Sequence, residues 1–215
     1  MSNILDSLKE YLSPELLSEA SLIYGENESG IYKTIASLVP TILAGLLEKC
    51  GDSHAIDNIF NTLRNFNPAI LDHLGSLLGG GNLAQNDPKD VSGQLLSTIF
   101  GAKVPAIINA VASFSGVKQS TVSSLLGLAG PLVMALLSKK ISMEGLNASK
   151  LVGYLLSQRS SIVSLLPAGV GSLLGMANAG SGSAGQEKAS MGVGWVWPLL
   201  LLLILGAVII YFLKN

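Results

Sequence analysis

Two histidines and one cysteine are the residues of this chain best suited to metal or nucleophile chemistry. His54 and His73 stand nineteen residues apart, with Asp57 three positions after the first and Asp72 beside the second. A structural or catalytic zinc needs three or four converging ligands. That spacing does not supply them, and both histidines read as surface residues of acidic helices. Cys50 is alone, so no intrachain disulfide forms, and in an apolar helix it reads as packing. The glycines of GGGN at residues 79–82 lack the Gly-Lys-Ser/Thr continuation and the preceding strand of a phosphate cradle. They read as a helix stop and linker. No Gly-x-Ser-x-Gly elbow, CxxC pair or HExxH motif occurs. The expectation is a protein that is not an enzyme, with no cofactor, no metal and no small-molecule substrate.

Charge offers a different kind of chemistry. Charged residues are 13% of the chain, about half the usual share. Residues 1–78 hold ten Asp/Glu and four Lys/Arg, a balance of −6, while residues 79–178 hold three and seven, a balance of +4. The two halves should attract each other or face different partners. In the acidic half, Glu15, Glu19, Glu26 and Glu28 are the candidate surface for a protein partner, a second copy of the chain included. Glu10 belongs to the same acidic stretch and reads as a solvated helix face. In the basic half, Lys139, Lys140, Lys150 and Arg159 are too few, and too poor in interleaved aromatics, to read nucleic acid. They are candidate contacts to a membrane surface, where each is worth about 1 kcal/mol against anionic lipid. The competing reading is a solvated face, or pairing with the acidic half.

The elements that position these residues are helices, and they recur. At a constant offset of 91, Pro14 matches Pro105, Gly25 matches Gly116 and Pro40 matches Pro131. Ile4, Leu5 and Leu8 match Leu95, Leu96 and Ile99, and "GSLLG" recurs at Gly75 and Gly171. Ser13 caps a helix that Pro14 opens and Gly25 closes. A longer helix runs from near Ser29 to Gly51, and Pro40 inside it should kink or split it. Helices follow at 54–64 and at 68–78, the latter capped by Asn67. In the second copy Gly116 ends one helix, Pro131 bends the next, and Asn147 caps 148–158. Residues 79–90 read as the loop between copies. No stretch alternates long enough for a sheet. The fold class is therefore all-α: a duplicated multihelical domain, 1–178, built of two similar helical units, about 1–80 and 90–178.

Residues 179–192 are a Gly/Ser/Ala-rich linker that spans on the order of 20 Å. Residues 194–213 are twenty positions without a charge, about 30 Å as a helix and so the thickness of a bilayer core. Trp195, Trp197 and Tyr211 suit interfacial belts, and Pro198 suits a first helical turn. Residues 193–213 therefore read as one C-terminal transmembrane helix. The N-terminus has no basic n-region before an apolar core and is not a signal peptide. The matching expectation is a tail-anchored, single-pass protein of the cytoplasmic membrane, with its helical domain cytoplasmic and its C-terminus outward. Residues 119–138 and 160–186 also carry no charge, and 34–47 is a shorter example. These support a second reading, in which the apolar helices themselves insert into or remodel a bilayer.

The stretches "LLSTIFGAKVPAIINAVASFSGV", "LLGLAGPLVMALLSKK" and "GLNASKLVGYLLSQRSSIVSLLP", with the "GGG" before them, resemble the YidB-like family of bacterial proteins, a domain of unknown function. The resemblance covers about residues 1–175. It implies a multihelical fold and a bacterial source, and brings no activity or catalytic residue with it. Together these observations give the primary expectation: a non-enzymatic module for protein–protein contact or scaffolding at the bacterial cell envelope.

Overall fold

The structure is a computed structural model that describes residues 4–78 and 88–176. All regular structure among the described residues is helical. The order is α1 (Ile4–Tyr11), α2 (Pro14–Tyr24), α3 (Glu28–Lys49) and α4 (Ser53–Asn65), then a 3-10 helix (Pro68–His73) and α5 (Leu74–Leu78). The second half runs α6 (Pro88–Phe100), a 3-10 turn (Gly101–Lys103), α7 (Val104–Ser115), α8 (Gln119–Glu144), α9 (Ala148–Ser157), α10 (Arg159–Ser164) and α11 (Val170–Leu173).

Local chemistry sets many of the ends. Ser13 Oγ accepts from the Leu16 N–H, and Asn67 and Asn147 cap their helices through Ala69 N and Lys150 N. Gly25 and Gly116 close α2 and α7 in the left-handed region, at φ 62° and 76°. Asn27, whose Oδ1 accepts from Gly30 N at 2.7 Å, starts α3 one residue before the position expected from the sequence. Three other expectations shift. Helix α3 continues through Pro40 and α8 through Pro131 without splitting. The segment expected as one helix at 68–78 is a 3-10 helix followed by a short α-helix. Residues 88–90, expected in the loop, already belong to α6.

Helices α3 and α8 pack against each other at the centre, and α6 lies on both. Residues 37–47 of α3 and 128–138 of α8 are all buried. These windows are 91 residues apart, the offset of the sequence repeat. They nevertheless share one core. The expectation of two helical units, 1–80 and 90–178, is corrected: Met1–Gly180 is a single compact unit. The reason is interlocking. Helix α4 and the Pro68–His73 turn pack on α8, whereas α9 and α10 pack on α3. Each half closes on the other half's long helix, so neither buries its apolar surface alone.

The close approach of α6 depends on two glycines. A Cβ at Gly45 would fall 2.2 Å from Ile99 Cγ2 and 2.6 Å from Phe100 Cε1. One at Gly130 would fall 2.9 Å from Ser92 Cβ. Only a residue without a side chain lets α6 lie this near both long helices.

A second correction concerns the membrane. Among the described residues, three helical stretches have the length and apolar composition to cross a bilayer, and all are internal: Glu28–Lys49, Asp90–Ser115 and Gln119–Glu144. This overturns the reading of one span at the C-terminus. The single-pass, tail-anchored topology with a cytoplasmic domain and outward C-terminus falls with it. The proposed span at 193–213, with Trp195, Trp197, Pro198 and Tyr211, and the linker at 179–192 lie outside the described residues. Within 160–186, the described part forms only the short helices α10 and α11, too short to span.

Candidate functional site

The feature most open to function is the set of bilayer-length helices. Their windows differ in how far the fold covers them: 83% buried for Glu28–Lys49, 78% for Gln119–Glu144, and 39% for Asp90–Ser115. A helix that is apolar all round belongs either in a core or in a bilayer. For α3 and α8 the first home is provided. For Asp90–Ser115 much is left open, including Phe114, which is 54% exposed.

Charge placement ranks the three. Helix α8 has no charge from Gln119 to Ser138, twenty residues or about 30 Å, which matches the hydrocarbon core. The uncharged stretch 34–47 of α3 is fourteen residues, about 21 Å, and falls short. Asp90–Ser115 is interrupted at Lys103, which pairs with Glu48 at 3.0 Å, and by the Gly101–Lys103 turn. By length alone α8 is the helix best matched to a full crossing.

The proposed acidic surface does not present four free carboxylates. Glu15 and Glu19 are exposed on α2, and Glu28 is exposed in the first turn of α3. Glu26 has another task. Its side chain is 10% exposed, and its Oε1 accepts from the Lys118 N–H at 3.0 Å and from Thr121 Oγ1 at 3.2 Å, with Lys118 Nζ at 3.9 Å. Lys118 is the N-cap of α8 and gives no side-chain cap of its own. Glu26, from the acidic half, therefore supplies the missing acceptor at the start of α8, where negative charge is favoured. At Glu15, hydrogen bonds from its own backbone N–H and from Ser13 hold the carboxyl below its ordinary 4.5.

The basic candidates separate as well. Lys139 and Lys140 line one cleft of about 240 Å³ between α1, α8 and α9. Lys150 and Arg159 are exposed at the starts of α9 and α10 and do not line it. In the cleft, Lys139 Nζ donates to Tyr11 Oη at 3.1 Å and lies 5.8 Å from that ring's centroid. Lys140 Nζ lies 5.0 Å from the Tyr154 centroid and pairs with Glu144. Burial, then the charge of Glu144, pushes the Tyr154 phenol up. Ile4, Leu136 and Met143 form apolar wall, and Ser7 and Glu10 complete it. Tyr11, Tyr154 and Met143 went unrecognised in the sequence, where Glu10 read as a solvated helix face. Nothing local pairs Tyr11 with a lysine 128 positions away. A second cleft, of about 300 Å³, lies on the other side of α1, where Leu5, Leu8 and Leu12 face Tyr32 and Leu165.

The remaining candidates are quiet. His54 and His73 are exposed and far from any cluster: no group of three His, Cys, Asp or Glu could hold a metal ion among the described residues. Cys50 is half-buried, and burial pushes its thiol up, which lowers the thiolate fraction.

Residues 6–140 match the family described as bacterial protein of unknown function (DUF937). This chain belongs to that family. No curated protein and no solved structure matches it. The match runs from within α1 to Lys140 in α8, and so includes Glu28–Lys49, Asp90–Ser115, the uncharged part of α8 and the two lysines at the cleft.

Proposed function

We propose that this family member is a membrane-active protein, whose apolar helices insert into or remodel a bilayer, and that it works without catalysis. The observation that carries the reading is three apolar helical stretches of bilayer length among the described residues, of which Asp90–Ser115, bent at its 3-10 turn, is only 39% covered by the fold. The energetics are permissive. Helices leaving a protein core for lipid exchange one apolar setting for another, because acyl chains are as apolar as leucine side chains. The cost lies in lost packing and in the polar ties that must be broken, chiefly Glu26 to the start of α8 and Ser138 Oγ to the Phe66 carbonyl at 2.7 Å. Helix α8 can meet the bilayer along its whole uncharged length, with Lys139, Lys140 and Glu144 left at one end for the headgroups.

The test uses dye-filled vesicles and two forms of the protein, the full chain and a chain ended after residue 180. Ending the chain there removes the uncharged run 194–213, so the internal helices are read alone. The expected result is dye release, and protection of α8 from added protease, with both forms. Absence of both effects in the shortened chain, while it remains folded by circular dichroism, would sink the proposal.

A further inference from the structure

The lysine–tyrosine cleft beside α1 has an unusual charge inventory. Lys140 is committed, since it pairs with Glu144 and packs on the Tyr154 ring, and its side chain is 14% exposed. Lys139 is not. Its ammonium carries three donors, of which one goes to Tyr11 Oη. No carboxylate stands within ion-pair distance of it among the described residues, and Asp72 and Glu10 act on it only from farther away. Glu10 lines the same cleft, is exposed, and likewise has no ion pair among the described residues. What remains for a ligand is one ammonium, one carboxylate, the hydroxyls of Tyr11 and Ser7, and an apolar wall that ends at Met143, 75% exposed.

That inventory discriminates. A simple anion would gain Lys139 but face Glu10. A simple cation would gain Glu10 but face Lys139 and Lys140. A zwitterion with a short spacer satisfies both, and an apolar body attached to it covers Met143. We propose that the cleft binds the phosphoethanolamine headgroup of a phospholipid. The phosphate accepts from Lys139 and the Tyr11 hydroxyl, the ammonium donates to Glu10, and the first carbons of the acyl chains lie on Met143. Charge-assisted hydrogen bonds of this kind are the stronger class. The inference rests on the bilayer reading above for the source of the ligand, yet headgroup binding does not require insertion. It gives the contact a lipid preference and joins α1 to the charged end of α8.

The experiment is a calorimetric titration of the full chain in a nonionic detergent. The probes are dihexanoyl phosphatidylethanolamine, dihexanoyl phosphatidylglycerol, free phosphoethanolamine and inorganic phosphate. Saturable binding of the ethanolamine lipid is expected, about tenfold tighter than the glycerol lipid and tighter than either free ion. Lys139→Gln should weaken it about tenfold and Lys139→Arg should preserve it, while Glu10→Gln should remove the preference for ethanolamine over glycerol. Both side chains are exposed, so helix content by circular dichroism should not change and reports on folding. Equal affinity for the two lipids, or wild-type affinity in folded Lys139→Gln, overturns the proposal. Free phosphoethanolamine binding as tightly as the lipid overturns the lipid as the source. Vesicle leakage is read separately. Leakage without headgroup preference removes this inference alone, and headgroup binding without leakage removes the membrane-active reading alone.

Discussion

Helices α3 and α8 occupy equivalent places in the repeat, carry a proline at the same point and bury matching windows, yet they are started by different means. Helix α3 is capped by its own neighbour, Asn27, through Gly30 N. Along its length Thr34, Ser37 and Thr41 return their hydroxyls to the carbonyls of Gly30, Lys33 and Ser37. These three hydroxyls are satisfied within the helix. At its start α8 has no local side-chain cap and borrows Glu26 from ninety-two residues upstream. Near its other end Ser138 donates to Phe66, seventy-two residues away. The start of α3 is specified by its own sequence, and the start of α8 by the tertiary structure. The tertiary ties of α8, at Glu26 and Ser138, are lost together when the fold opens, and α8 carries the longest uncharged run among the described helices.

The comparison can be broken most strongly at the glycines under α6. Gly45→Ala on α3 should cost about 3 kcal/mol, the upper part of the overpacking range, because the new methyl meets Ile99 and the Phe100 ring. Gly130→Ala on α8 should cost about 1 kcal/mol, because its overlap with Ser92 Cβ is slight and the flexible end of Leu96 can give way. Urea unfolding of both variants checks the order, and equal costs would mean that α6 is not seated as described. Next, Glu26→Ala should cost about 2 kcal/mol, since it removes charge-assisted bonds at the start of α8. The same change should raise amide exchange in the first turn of α8 while leaving α3 unaltered. Asn27→Ala should cost about 1 kcal/mol, the usual price of a lost N-cap, with the exchange effect confined to the start of α3. If both variants loosen both helices equally, the contrast between local and tertiary capping fails.

The smallest effect is one of pH. The folded-state carboxyl of Glu15 is held below its unfolded value by its own backbone N–H and by Ser13. Its contribution to stability is therefore present above the unfolded value, near 4.5, and is lost as pH falls through the lower folded value. The urea midpoint should drop slightly more in the wild type than in Glu15→Gln below about pH 5. Glu15 is fully exposed, so the difference is a small one.

The same contrast explains what could be read from the sequence. Ser13, Asn67, Asn147, Gly25 and Gly116 act within four residues of themselves, and the helix ends they set were legible. The repeat was legible as a pattern of Pro and Gly at fixed spacing. It carried no information on which helix would pack on which, so a domain of two similar helical units, about 1–80 and 90–178, was expected where the halves interlock in one core. Residues 34–47 and 119–138 were visible as uncharged stretches that also contain Pro, Gly and Ser. The serine hydroxyls are tolerated where a close backbone carbonyl accepts from them, as at Ser37. The cleft was hidden for a different reason. Lys139 and Lys140 stood out by charge, whereas Glu10, Tyr11 and Tyr154 gain meaning only when α1 and α9 are brought beside α8.

The position of α6 over Gly45 and Gly130 has a consequence for how the protein is made. When synthesis has reached residue 78, α3 is complete, and of the helices that pack on it α2 has been made but α6, α7, α8, α9 and α10 have not. An apolar stretch of eleven consecutive core residues then waits largely uncovered in the nascent chain. The core can close only after α10 has followed, and the interval before that is the time when a nearby membrane competes best for α3.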